Sequence, residues 1–102
     1  MENKKRISVI GSGSWATAIA KILHEEQPIG WYIRETEIID HLKKHRNNPY
    51  YLSSVQFDLK KLKISNDINE TIKKSDILVF VVPASYIKVW LEPLKVNFDN
   101  KF

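Results

Sequence analysis

A chain of 102 residues, 43% apolar and 27% charged, is sized for one domain with a modest core and is too apolar for disorder. With no cysteine, disulfides, thiolate metal sites and cysteine nucleophiles are excluded; this allows a reducing compartment, and the cytoplasm is the localisation expected. The net charge of +4 is spread in short groups such as Lys43-Lys44 and Lys60-Lys61, mostly beside acidic residues, so it reads as a solvated surface and not as a nucleic-acid footprint. No apolar run approaches a membrane span, and the opening MENKKRISVIG lacks the apolar stretch of a signal peptide.

Taken in order, Ile7-Ser8-Val9-Ile10 is a β-branched run closed by Gly11, the form of a short buried strand. A helix follows from about Ser14 to Glu25, with Ala16, Ile19, Ala20 and Leu23 on one face. Pro28 ends it, because proline has no N–H to donate and clashes with the preceding turn. Ile29 to Ile33 reads as the second strand. Glu35 to about His45 reads as the second helix, with Ile38, Ile39 and Leu42 inward. Arg46 to Ser54 is a polar and aromatic loop around Pro49, and Leu62 to Ser65 is a third strand at a sheet edge.

Asp67 followed by Glu70 has the form of a capping box opening a short helix. Asp76 to Val82 contains DILVFVV, the most hydrophobic run of the chain, which suits a strand buried on both faces of a parallel sheet. Pro83 stops it, Ala84 to Leu91 reads as a helix, and the tail Val96 to Phe102 ends where another strand could begin. There is no internal repeat or low-complexity linker. The alternation predicts an α/β, Rossmann-like domain: a parallel sheet of four strands in the order 3-2-1-4, flanked by helices and cut short before a fifth strand.

The most informative stretch is Gly11-Ser12-Gly13-Ser14-Trp15-Ala16, a G-x-G-x-x-A turn between a strand and a helix. In that context each position has a physical purpose. Gly11 permits the tight turn, Gly13 lets backbone approach a pyrophosphate, and Ala16 is small enough for close helix–strand packing. The helix start offers free N–H groups to phosphate. Cofactor choice is read at the end of the second strand, where an acidic residue suits the ribose of NAD and an arginine the 2′-phosphate of NADP. The strand ends Trp31-Tyr32-Ile33-Arg34-Glu35, so NADP and NAD both stay open.

Other chemistries lack their residues. His41 and His45 share a helix face, but no further ligand is evident and Lys43, Lys44 and Arg46 would repel a cation, so no metal site is expected. No nucleophile elbow or P-loop is present, and neither Tyr50 nor Tyr86 is followed by a lysine four residues on. Trp31, Tyr32, Tyr86 and Trp90 read as packing residues. Tyr50-Tyr51 stands undecided between packing and a ligand cleft.

The stretch Ile7 to Ala18 resembles the opening of the bacterial NAD(P)-dependent glycerol-3-phosphate dehydrogenases, whose loop typically reads G-x-G-S-W-G-T-A. Trp31-Tyr32-Ile33-Arg34, Asn48-Pro49-Tyr50-Tyr51-Leu52 and Ser75 to Ala84 are similar to further motifs of that family, in the same order and spacing. The resemblance implies reduction of dihydroxyacetone phosphate to sn-glycerol 3-phosphate, a phospholipid precursor. It implies that Ser14, Trp15 and Arg34 contact the nucleotide, that Gly11, Ser12, Gly13 and Ala16 form the pyrophosphate loop, and that Val82, Pro83 and Ala84 line the cofactor.

Two departures stand out: Ala16 replaces the third glycine, and family members are roughly three times longer, with their lysines for substrate and catalysis beyond this stretch. Residues 1–102 are therefore expected to be an incomplete N-terminal dinucleotide-binding domain, inactive alone, whose exposed fourth-strand edge invites self-association. The alternatives are a stand-alone nucleotide-binding or interaction module, another long dehydrogenase such as a ketopantoate or phosphogluconate enzyme, and a methyltransferase. The Ser-Trp pair disfavours the other dehydrogenases, and Arg34 disfavours the methyltransferase.

Overall fold

The computed structural model describes residues 5–82. Within them run β1 (Ile7–Ile10), α1 (Ser14–Glu26), β2 (Ile29–Tyr32), α2 (Thr36–His45), a 3-10 turn (Leu59–Lys61), β3 (Leu62–Ser65), α3 (Ile68–Lys73) and β4 (Ile77–Phe80). All strand pairs are parallel and the order is β3-β2-β1-β4, as the alternation predicts. Register aligns Val9 with both Trp31 and Val79. The helix expected at Ala84–Leu91, the tail Val96–Phe102 and the site candidates Pro83 and Ala84 lie outside the described residues.

The pleat sorts each strand onto two faces. Val9, Ile29, Trp31 and Ile33 join Ala16 and Ala20 of α1 and Ile38, Ile39 and Leu42 of α2 in one core. Ile10 and Tyr32 point the other way and pack with Ile68 and Ile72 of α3, against Leu78 and Phe80. Full burial of each large apolar side chain is worth about 1.5–3 kcal/mol, so the α1/α2 face carries most of the stabilisation. Trp31 is at its centre, with its ring 5.1 Å from that of Phe57.

The inward stripe of α1 also takes in Thr17 and His24, which periodicity of apolar residues does not reveal. Burial of His24 is compensated by hydrogen bonds. Its Nδ1 lies 2.7 Å from the Lys21 carbonyl, and its Nε2 accepts the Asp58 N–H at 3.1 Å.

The structure corrects two expectations. The fourth strand is Ile77–Phe80, shorter than Asp76 to Val82, and none of its residues is fully buried. Hydrophobicity expresses a preference, but burial needs neighbours: among the described residues β4 pairs with β1 alone, and Ile77 is 41% exposed. Asp67 makes half of a capping box. Its carboxylate accepts the Glu70 N–H at 3.1 Å, but its own N–H donates to Ser65 Oγ, and the Glu70 carboxylate pairs with Lys74 at 3.4 Å. A serine two residues upstream and a lysine four residues downstream compete successfully for the two groups.

The start of β4 is pinned to β1 by an ion pair. The Arg6 N–H donates to Asp76 Oδ2 at 2.9 Å and the guanidinium Nε approaches the same oxygen at 3.3 Å. These two hydrogen bonds from Arg6 hold the Asp76 carboxyl at about 2, below its ordinary 3.8.

Candidate functional site

At the carboxyl end of β1 the chain turns through Gly11-Ser12-Gly13 into α1, and every carbonyl of that turn has a protein donor. Trp31 Nε1–H donates to the Gly11 carbonyl at 2.6 Å. Asn48 Nδ2–H donates to that of Ser12 at 3.1 Å. Gly13 receives the Thr17 N–H at 2.9 Å and the Thr17 hydroxyl at 2.8 Å. The Gly11 N–H is spent on the Tyr32 carbonyl at 3.2 Å, which ties the turn to the end of β2.

What remains to face outward is donors. The bond from Thr17 N–H to Gly13 is the first of the helix, so the N–H groups of Ser14, Trp15 and Ala16 precede the intrahelical ladder. Gly13, the N-cap, has no side chain to cap them. Three aligned donors at the positive end of a helix dipole suit a phosphate group.

The two glycines of the turn differ in kind. Gly11 has φ +138°, and a Cβ there would collide with the Val81 carbonyl, so the backbone itself demands glycine. Gly13 has an ordinary φ of −76°, and a Cβ there would have no neighbour within 4 Å. Nothing internal requires glycine at 13; its missing side chain leaves open the space in front of the helix. Ala16 is fully buried one turn along, against the core.

Around this turn stand the other candidates. Ser12 is nearly buried, and its hydroxyl donates to Glu35 Oε1 at 2.8 Å, drawing the start of α2 to the loop. Arg34 is exposed just beyond β2. Burial pushes the Tyr32 phenol above its ordinary pKa; the Arg34 charge opposes this, and those of Glu35 and Asp67 add to it. Val82 is half-buried after β4, and the adjacent Val81 N–H donates to the Ile10 carbonyl at 2.8 Å, setting the β4 end beside Gly11.

Trp15, in the first turn of α1, is 76% exposed. Tyr50 and Tyr51, undecided in the sequence, are exposed, and their backbone N–H groups both go to Asn48 Oδ1. The Tyr50 hydroxyl donates to Glu37 at 3.2 Å, and this bond raises the Tyr50 pKa. Sequence reasoning missed Trp31, Thr17 and Asn48 as builders of the loop. The available signals were faint: an indole N–H in a buried strand, and an asparagine before proline.

Among the described residues no group of three or more His, Asp or Glu side chains is arranged to hold a metal, although the His41 and His45 rings lie 4.5 Å apart. No helix among them is long and apolar enough to cross a membrane.

A parallel 3-2-1-4 sheet with a donor-lined glycine turn at the carboxyl ends of its strands defines a Rossmann-type domain. Residues 6–101 match the family model described as NAD-dependent glycerol-3-phosphate dehydrogenase N-terminus, and the chain belongs to that family, whose cofactor is NAD or NADP. A glycerol-3-phosphate dehydrogenase [NAD(P)+] of Thermotoga sp. (strain RQ2) is 40% identical over 94 residues, which are 90% of this chain and 27% of that protein. The enzyme of the same name from Streptococcus uberis is 30% identical over 103 residues, 99% of this chain and 30% of that one.

Among solved structures, the Plasmodium falciparum glycerol-3-phosphate dehydrogenase superposes with a TM-score of 0.80 at 27% identity, over 97% of this chain and 31% of its own. The Saccharomyces cerevisiae enzyme gives 0.79 at 22% identity over 98% and 31%, a likeness of fold. The chain thus spans under a third of the length of these relatives.

Proposed function

We propose that residues 1–102 form the N-terminal dinucleotide-binding domain of a glycerol-3-phosphate dehydrogenase, and that the whole protein reduces dihydroxyacetone phosphate to sn-glycerol 3-phosphate for phospholipid synthesis. The observation that carries this reading is the glycine turn, whose carbonyls are all taken by protein donors while the N–H groups of Ser14, Trp15 and Ala16 stand free of the helix ladder. A pyrophosphate is an acceptor-only dianion, and such a turn offers it donors alone.

In this reading the N–H groups of Ser14 and Trp15 meet the pyrophosphate, and Gly11, Ser12, Gly13 and Ala16 shape the loop. Arg34 meets the adenosine end, by a 2′-phosphate in NADP or over the adenine in NAD. Val82, with Pro83 and Ala84, is expected to line the cofactor. When bound, the reduced nicotinamide supplies hydride to the ketone carbon. This chain's residues bind and orient; the acid–base groups and the contacts to substrate belong to the further length of the relatives. The enzyme is assigned to the cytoplasm. We also propose that the edge of β4, which among the described residues pairs with β1 alone, pairs with a second copy. Sedimentation showing a monomer at every concentration would remove that last assignment.

The test is fluorescence titration of the chain with NADPH and NADH, repeated with Arg34→Ala. Binding of either nucleotide, weakened about tenfold by the substitution, is the expected result. Loss confined to NADPH would assign Arg34 to the 2′-phosphate. Absence of binding by both this chain and the longer parent protein would overturn the reading.

A further inference from the structure

We propose that Asn48 is a positioning residue for the cofactor: it keeps the Ser12 carbonyl turned inward, and so keeps a donor-only face toward the pyrophosphate. The inference rests on the dinucleotide-binding reading and deepens it. Asn48 is fully buried and lies in the 46–54 loop, which is remote in sequence from the glycine turn. Its amide uses all of its hydrogen-bonding capacity. Nδ2 donates to the Ser12 carbonyl at 3.1 Å and to Thr17 Oγ1 at 3.0 Å. Oδ1 accepts the N–H groups of Tyr50 at 3.0 Å and Tyr51 at 3.3 Å. Because the Thr17 hydroxyl accepts from Asn48, its own proton is directed onto the Gly13 carbonyl at 2.8 Å. One side chain therefore holds the Ser12 carbonyl directly and, through Thr17, directs a second donor onto a Gly13 carbonyl that the Thr17 N–H already holds.

The arrangement needs such a guard because of Gly13. Glycine makes the Ser12–Gly13 peptide free to rotate, and no atom would meet a Cβ at Gly13 within 4 Å. Without Asn48 the Ser12 carbonyl would be a buried acceptor lacking its donor, and outward rotation would relieve it. A carbonyl dipole would then point at the phosphate where a donor should be. Two donors and a two-fold acceptor on one short side chain are what asparagine supplies. Aspartate in its ionised form keeps the acceptors for Tyr50 and Tyr51 but loses both donors.

The test measures NADH and adenosine affinity, with melting temperature, for the chain and for Asn48→Asp, Asn48→Ala and Thr17→Val. Adenosine has no phosphate and reports on the rest of the cleft. About tenfold weaker NADH binding is expected for both Asn48 variants, and a smaller loss for Thr17→Val, with adenosine affinity retained. Thr17→Val, close in shape, carries the test should the Asn48 variants fail to fold. A fall in melting temperature with unchanged NADH affinity, or equal losses for NADH and adenosine, would reduce Asn48 to a structural residue and overturn the proposal. If the unsubstituted chain binds NADH but the variants bind it equally, the positioning role alone falls. If neither the unsubstituted chain nor the longer parent protein binds NADH or adenosine, the dinucleotide reading falls and takes this inference with it.

Discussion

The two ends of the sheet make an instructive pair. The amino ends open on a concavity of about 570 Å³ bordered by Lys5, Arg6, Lys60, Lys61, Lys63 and Lys74. Among the described residues the carboxyl ends carry no comparable cluster of cations, but a glycine turn with its carbonyls tied down. By charge the amino end looks the better anion site. Most of its cations, however, sit on long exposed stems; Arg6 is paired with Asp76 and Lys74 with Glu70. Each would lose rotamer entropy on gripping a ligand. The N–H groups of the turn are already fixed by the backbone and by Trp31, Asn48 and Thr17. Preorganised donors recognise a phosphate with less entropic cost than mobile charges do. In the proposed reading, the direction in which fixed dipoles point is therefore a better guide to the site than net charge.

That contrast can be broken at single residues. The largest effect on stability is expected from Gly11→Ala, which sets a Cβ at φ +138° against the Val81 carbonyl. Urea denaturation should show a loss of about 2–4 kcal/mol, from backbone strain and overpacking together. Trp31→Phe leaves the Gly11 carbonyl without its donor and should cost about 1–3 kcal/mol, with weaker NADH binding alongside. Gly13→Ala should separate the two glycines. Its φ is ordinary and its surroundings are open, so stability should change by less than about 1 kcal/mol. NADH affinity should nevertheless fall about tenfold or more, because the methyl enters the space a phosphate would take.

At the amino end the effects should be smaller and confined to stability. The Asp76 carboxyl is held down at about 2 by Arg6, below its ordinary 3.8. A depressed carboxyl contributes stability that is fully present above its unfolded value and is lost as pH falls through the folded one. Stability should therefore decline from about pH 4 to about pH 2 in part through Asp76, and Asp76→Asn should flatten that part of an acid-denaturation profile. Smallest of all, Lys63→Ala should leave NADH affinity within about twofold. A large loss there would show that the amino-end cations reach the nucleotide and would reverse the contrast.

Much of this architecture was legible from local pattern. The strand at Ile7–Ile10, the helix that follows it and the glycine turn between them were readable because their signals are short-range: β-branching, a 3.6-residue period, and glycine where the chain must turn. The 3-2-1-4 order also followed, since handed crossovers leave few alternatives. β4 was overread because its hydrophobicity reports a preference for burial, whereas its actual exposure depends on which elements lie beside it. The capping box at Asp67 was half wrong because Ser65 and Lys74, outside the motif, compete for its groups.

The sequence by itself determined the class of fold, the place of the turn and the family, because each of these is written in residues close together along the chain. Only the tertiary structure decided why the turn presents donors. Gly11, Ser12 and Gly13 depend on Trp31 from the next strand and on Asn48 from a loop 36 residues from Ser12. Trp31 and Asn48 stand within motifs of the sequence, but their hydrogen bonds to the turn leave no periodicity and no local signal, since the partners meet only when the sheet and its helices have packed.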